Sequence, residues 1–350
     1  VHSQVARDIA EGAVARTEQA RCLRPELGRE HPLRSLRGRE RFLADLDGST
    51  VPTKTGEGSA GHCLPARVGA SNAPMSQKVV FVSGATDGIG RETARQLAAR
   101  GAAVILHGRD PARLRAAVDA VSNAVPGAVL HTARGDLSRL DDVRALAADL
   151  VDRFPRLDAM VHNAGIFAQG HALTVDSFES TFAVNHIAPF VLTHLTLDAL
   201  RAAKGRVVTV SSIAHQRGEL DLDDLEHTRG FSDYAAYARS KLCNVLFAAE
   251  LARRLVADGV TSNSLHPGVV STKLLIQGFG MQGNDTVEEG AATSVFLALD
   301  PSVEGVTGRY FVKSRAASPS PRARDARLAA ALYEASARRT GVTALAAPGA

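Results

Sequence analysis

The chain has 350 residues, 45% of them apolar and 22% charged, a balance that supports a folded core and excludes a wholly disordered protein. Its net charge of +4 comes from basic residues mixed with acidic ones, which argues against a nucleic-acid face. Three cysteines without CxxC spacing, Cys22, Cys63 and Cys243, exclude a disulfide scaffold and a zinc knuckle and fit a reducing cytoplasm.

Residues 1–74 differ from the rest. Phe42 is their only aromatic, and the stretch from Thr50 to Pro74 is rich in Gly, Ser, Thr and Pro, so they offer little surface for a core. Two readings compete: a regulatory or partner-binding tail, or a poorly ordered, non-native extension upstream of Met75. The second is favoured, because Met75 is the first methionine and directly precedes a sharply patterned domain. The expected organisation is therefore an extension (1–74), a dinucleotide-binding catalytic domain (75–313), and a C-terminal link, helix and tail (314–350). No run approaches the length of a membrane span, and no secretory signal is visible.

Val79-Val80-Phe81-Val82 is a continuous apolar run, as a strand buried on both faces requires. A glycine-rich turn follows, then a helix over 91–100 and a second strand over 102–106. Asp110-Pro111 reads as an N-cap and first helical residue. Further strands are expected at 128–133, 157–161, 206–211, 261–266 and 309–312. Helices are expected at about 139–153, 175–203, 234–258, 286–299 and 323–338. Alternation of this kind predicts an α/β fold: a Rossmann-type, doubly wound parallel sheet of about seven strands with helices on both faces.

The first turn reads Ser83-Gly84-Ala85-Thr86-Asp87-Gly88-Ile89-Gly90. Glycines there let the chain turn tightly and let a pyrophosphate meet backbone N–H groups at a helix start. An ordinary tight turn is the plainer alternative; the strand before and helix after favour cofactor binding. After the second strand comes His107-Gly108-Arg109-Asp110. Asp110 is better read as a helix cap than as a ribose ligand. Arg109, with Arg91 nearby, suits a 2′-phosphate, so NADP(H) is expected over NAD(H).

Tyr237 and Lys241, four residues apart, share one helix face. A neighbouring Lys⁺ is expected to lower the phenol pKa and make Tyr237 a general acid or base. The strand Arg206–Val210 leads into Ser211 and Ser212, at a strand C-terminus, where ligands bind in open parallel sheets. Asn185 interrupts an apolar helix, and a buried amide there needs a specific partner. His186 and His194 read as helix-face residues. The twelve histidines form no H-x3-H or HExxH set, so no metal is expected.

Ser-Gly-x3-Gly-Ile-Gly, His162-Asn163-Ala164-Gly165, the helix Asn, the strand-end Ser, Tyr-x3-Lys and His266-Pro267-Gly268 occur in the order found in short-chain dehydrogenases/reductases. The chain resembles that family over about residues 76–340. The resemblance implies that Tyr237 exchanges the proton with the substrate oxygen and that Ser212 orients that oxygen. Lys241 would hold the nicotinamide ribose, and Asn185 a water of the proton relay. It also implies adenine contacts from Asp136 and Leu137, support of the cofactor's centre by Asn163, Ala164 and Gly165, and nicotinamide contacts from Pro267, Gly268 and Thr272. Ser83 stands where Thr is common, and His162 where Asn is common. The gap of 25 residues from Ser212 to Tyr237 is longer than in many members and resembles the retinol-dehydrogenase and WW-domain-oxidoreductase branch. Relatives that pair through helices at 175–203 and 234–258 imply a homo-oligomer.

The leading expectation is an NADP(H)-dependent carbonyl reductase or alcohol dehydrogenase acting on a small molecule. A catalytically silent dinucleotide sensor or interaction protein on the same fold is the alternative. Leu274, Leu275, Ile276, Phe279 and Met281 either line an apolar substrate or merely pack a lid. Asn284-Asp285-Thr286 matches a glycosylation triplet by chance.

Overall fold

The computed structural model describes residues 77–347; the expectations for residues 1–74 lie outside the described residues. Eight strands form one sheet in the order β3-β2-β1-β4-β5-β6-β7-β8. The first three are β1 (Val79–Val82), β2 (Ala103–Gly108) and β3 (Leu130–Arg134). They alternate with helices α1 (Gly88–Ala99), α2 (Pro111–Ala124) and α3 (Leu140–Arg153). β4 (Ala159–His162) pairs with β1, and β5 (Arg206–Val210) and β6 (Thr261–His266) extend the sheet in parallel. β1, β2, β4 and β5 are buried along nearly their whole length, which is why their sequences read as apolar runs rather than alternations. β6 is equally buried but polar. Its Asn263 side chain is satisfied by the loop before β7, donating to the Val306 carbonyl (2.7 Å) and accepting from the Arg309 N–H (2.9 Å).

The crossing from β4 to β5 carries α4 and α5. Helix α4 is built from an α turn (Ser180–Phe182), a π turn (Ala183–Ile187) and an α segment (Ala188–Leu195); α5 is Leu197–Ala203. From β5 the chain makes a 3-10 turn (Ile213–Arg217) and a long connection into α6 (Asp233–Arg254), of which sixteen residues are buried. Beyond β6 come a π turn (Leu274–Gly278), α7 (Val287–Leu299) and β7 (Tyr310–Val312).

The sheet has one strand more than expected. β8 (Arg315–Ala317) turns back antiparallel on β7 inside the C-terminal stretch expected to be a link. Its three residues are exposed, so no apolar pattern marks it. Helix α8 (Ala326–Thr340) then packs on α6. Tyr333 is buried, with its ring 5.1 Å from Phe190 and its hydroxyl 2.6 Å from His194 Nε2. His186 Nε2 lies 3.0 Å from Ser336 Oγ. The two helix-face histidines of α4 thus serve α8.

Candidate active site

The glycine turn is locked from three sides. Gly84 has φ +65, a left-handed conformation that favours glycine. A Cβ at Gly90 would lie 2.2 Å from the Gly84 carbonyl oxygen and 2.4 Å from Asn163 Nδ2, so only glycine lets α1 start this close to the turn. Ser83 Oγ accepts from the N–H groups of Asn163 and Ala164, both at 3.0 Å. Asn163 Nδ2 donates to the carbonyls of Ser83 (3.0 Å) and Gly84 (3.3 Å). The hydroxyl that replaces the common threonine therefore braces the turn. Asn163 and Ala164 are tied to the glycine turn through that bracing.

His107 supplies the third side, and the sequence reading missed it. Its Nδ1 accepts from the Gly84 N–H (3.3 Å) while its Nε2 faces the Gly135 carbonyl (3.2 Å), so Nε2 carries the proton. Burial pushes its pKa down to about 4, and the ring is neutral at pH 7. A histidine at the end of a strand buried on both faces is the signal that could have found it. His162, the other departure at a strand end, is buried and bonds Thr193 Oγ1 at 2.7 Å.

Helix α1 starts directly at this turn, and the N–H groups of a helix's first turn are the feature a pyrophosphate needs. Asp87 is the N-cap: its Oδ1 accepts from the Gly88 N–H at 2.9 Å. Ile89 packs towards Gly290 of α7. Asp110 caps α2, accepting from the Arg113 N–H at 2.8 Å, as expected for a cap. Arg109 is three-quarters exposed (74%), with Nη1 3.9 Å from Asp136 Oδ2. Burial works against ionisation of Asp136, yet bonds from the N–H and hydroxyl of Ser138 hold its carboxyl below the usual range. Leu137 packs into the core.

The four expected catalytic residues converge at the C-terminal ends of the strands. Tyr237 and Lys241 lie on α6, and Lys241 Nζ sits 5.6 Å from the Tyr237 ring centroid. Ser212, the cap of the 3-10 turn after β5, hydrogen-bonds Tyr237. A Cβ at Gly165 would lie 3.2 Å from Lys241 Nζ and 3.4 Å from Asn185 Oδ1, so both polar groups face this glycine. Asn185 sits in the π turn and is fully bonded. Its Oδ1 accepts from the Ile166 N–H (2.8 Å), and its Nδ2 donates to the Ile166 carbonyl (3.0 Å) and Ser240 Oγ (2.9 Å). This is the specific partner that the buried amide required. Ser240 in turn donates to the Tyr237 carbonyl at 2.7 Å.

One electrostatic expectation is corrected. Burial pushes the Tyr237 phenol up to about 12, and only the Ser212 hydrogen bond opposes it. Lys241 does not lower it here, because its ammonium donates to the Val210 carbonyl at 3.1 Å instead of reaching the phenol oxygen. Burial also lowers Lys241 to about 8, which leaves it mostly cationic at neutral pH.

Phe167, Tyr234, Leu274 and Phe279 pack around Tyr237. The Phe167 and Phe279 rings are 4.5 Å apart, and Phe279 is 5.3 Å from Tyr237. Pro267 and Gly268 follow β6; Gly268, with φ +100, faces Asp285, whose Oδ2 accepts from the Val269 N–H at 2.7 Å. The Thr272 methyl approaches Gly88, which brings the segment after β6 against the glycine turn.

Arg239, between Tyr237 and Lys241, was also missed. It is buried, donates to the Asp224 carbonyl (3.0 Å) and lies 3.7 Å from Glu179. Glu179 caps the first turn of α4, accepting from Thr181 and Phe182 N–H groups. The pair ties the helix of Tyr237 to the helix of Asn185. A separate cavity of about 640 Å³ lies under the 219–230 connection, lined by Leu220, Leu222, His227, Arg239 and Leu328 among others, and does not include Tyr237.

Comparison with known proteins bears on the family and the fold. A family profile described as short chain dehydrogenase matches residues 78–280. Human retinol dehydrogenase 13 is 38% identical over 291 residues, spanning 78% of this chain and 88% of the relative. Human retinol dehydrogenase 12 is 37% identical over 281 residues, 78% of this chain and 89% of the relative. Among solved structures, an uncharacterised protein from Mycobacterium paratuberculosis superposes with a TM-score of 0.63 at 34% identity, covering 77% of this chain and 95% of its own. A blue fluorescent protein from a metagenomic library, solved in complex with NADPH, superposes with a TM-score of 0.53 at 28% identity, covering 67% and 95%.

Proposed function

The chain belongs to the short-chain dehydrogenase family and is an oxidoreductase of that family, and on this premise we propose that it interconverts an apolar carbonyl compound and its alcohol with NADP(H). The observation that carries the reading is the convergence of Tyr237, Ser212, Lys241 and Asn185 beneath a braced glycine turn. The residues fit a dinucleotide: Gly84 and Gly90 keep side chains away from the helix start, and Lys241 and Asn185 both face Gly165. When bound, the dinucleotide supplies or accepts the hydride.

The proton step belongs to Tyr237 and Ser212. Ser212 holds the substrate oxygen by a hydrogen bond, and Tyr237 donates its phenolic proton to that oxygen during reduction. A phenol at about 12 keeps this proton at neutral pH, so reduction proceeds there. The reverse reaction needs the phenolate, so oxidation rises as pH rises. Lys241, mostly cationic at neutral pH, faces Gly165 and would hold the nicotinamide ribose there. Asn185 and Ser240 hold the backbone around both groups.

Arg109 supports the NADP(H) preference, since an exposed guanidinium beside Asp136 is available to a 2′-phosphate. The rings of Phe167, Tyr234 and Phe279 beside Tyr237 support an apolar substrate, as do the names of the retinol dehydrogenases it resembles. The sparse cysteines support a cytoplasmic location. Among the described residues, no helix is long and apolar enough to cross a membrane.

The test is NADPH oxidation over a panel of apolar aldehydes and ketones, with NADH and Tyr237→Phe as controls. Turnover should favour NADPH and fall by about 10³-fold in Tyr237→Phe, with NADPH binding retained. Tight NADPH binding without turnover on any substrate would favour the silent sensor.

A further inference from the structure

Asp87 gathers more positive charge than any helix cap needs. One of its oxygens, Oδ1, is committed to the Gly88 N–H at the start of α1. The other, Oδ2, lies 2.5 Å from Lys273 Nζ, which comes from the segment after β6, 186 residues away in sequence. Arg113 (3.5 Å) and Arg91 (3.9 Å) approach the same carboxylate. Lys273 is next to Thr272, whose methyl approaches Gly88, so the backbone of this segment already lies against the turn.

An acid at this place opposes the function of the turn. The N-terminus of α1 is where a dinucleotide's phosphates are expected, and a carboxylate there repels them. Resting on the dinucleotide reading above, we propose that Lys273 is a cofactor-binding residue: it neutralises Asp87 before binding and is transferred to the pyrophosphate on binding. Exchange is easy because the Lys273 side chain is 70% exposed, and an exposed ion pair is held weakly. A lysine is also suited to the task, being a compact charge on a flexible stem that can swing between two acceptors. A pyrophosphate offers it more negative charge than a single carboxylate does.

The role differs from that of Arg109. Arg109 stands by Asp136 and reads the 2′-phosphate; Lys273 stands by the glycine turn and reads the part common to NADPH and NADH. Dissociation constants for both nucleotides, measured by fluorescence titration at low and moderate salt, separate the two. Lys273→Gln should loosen NADPH and NADH alike, by roughly three- to tenfold at low salt, and make binding less salt-sensitive. Lys273→Arg should retain most of the affinity. Asp87→Asn, which keeps a capping oxygen, should tighten binding alone and recover part of the loss when combined with Lys273→Gln.

Unchanged affinity in Lys273→Gln would overturn the proposal, as would a loss confined to NADPH. Failure of the unmodified protein to bind either nucleotide would overturn the dinucleotide reading itself, and this proposal with it.

Discussion

The glycine-turn side and the aromatic side of the site are held by different forces. On the first, Ser83, His107 and Asn163 bond directly to backbone groups, and Gly90 admits no added atom. On the second, partly buried rings meet at 4.5 to 6.2 Å, and the flanking segments are joined by exposed ion pairs such as Arg229–Asp221. Hydrogen bonds to backbone fix one geometry, whereas ring contacts can repack around a different partner. The contrast teaches that this chain holds its glycine turn in one geometry and leaves its ring cluster adjustable.

Acid should loosen the molecule at four buried imidazoles, two of them on the fixed side. His107 and His162, at strand ends there, and His186 and His194 in α4 have pKa values lowered by burial to about 4, 3, 3 and 4. These lie below the unfolded value of about 6.5, so their contribution is fully present above pH 6.5 and drains away as pH falls towards 4. At pH 5.5 the four together should cost on the order of 5 kcal/mol of stability. Thermal melts from pH 8 to pH 5 check this; a flat melting temperature would show that the imidazoles are not held neutral.

A smaller blow, aimed at the same side, is Gly90→Ala. The added methyl meets the Gly84 carbonyl and the Asn163 amide, and should cost about 3 kcal/mol and abolish dinucleotide binding. Calorimetric melting with a nucleotide titration checks both; near-native affinity would mean that the turn yields more readily than its hydrogen bonds imply.

The adjustable side should behave in the opposite way. Phe279→Ala should move KM about tenfold for bulky apolar substrates and change the melting temperature by only about 2 °C. Steady-state kinetics across substrates of graded size sharpen the contrast. A large fall in stability with unchanged KM would make Phe279 a packing residue and nothing more.

Much of this was legible in the residues. Val79–Val82 declares itself a strand because burial on both faces demands an unbroken apolar run. Tyr237 and Lys241 could be placed on one face from helical spacing alone, and Asn185 stood out as a polar residue in an apolar helix. The π turn that carries Asn185 was not visible, since one extra residue per turn leaves no mark on so apolar a stretch. β8 was hidden because its exposed residues have no pattern to show. The pairs Arg239–Glu179 and Lys273–Asp87 were hidden for another reason: each joins charges far apart in sequence, and nothing local names the partner. The phenol pKa failed as an expectation because four-residue spacing fixes a shared face but not where the ammonium donates.

Helix α8 has a consequence for how the protein is made. Tyr333 and Arg254 stack at 3.9 Å, Arg254 also binds Glu334, and the Leu345 carbonyl accepts from Arg254 Nη1 at 2.5 Å. The helix that bears Tyr237 and Lys241 is thus clasped by residues as far as 91 positions further along the chain. During translation the face of that helix that meets α8 stays uncovered until residues 326–345 have cleared the ribosome. A premature stop codon in that stretch would therefore remove no reacting group, yet would deliver a nascent chain whose active-site helix is exposed to chaperones and proteases.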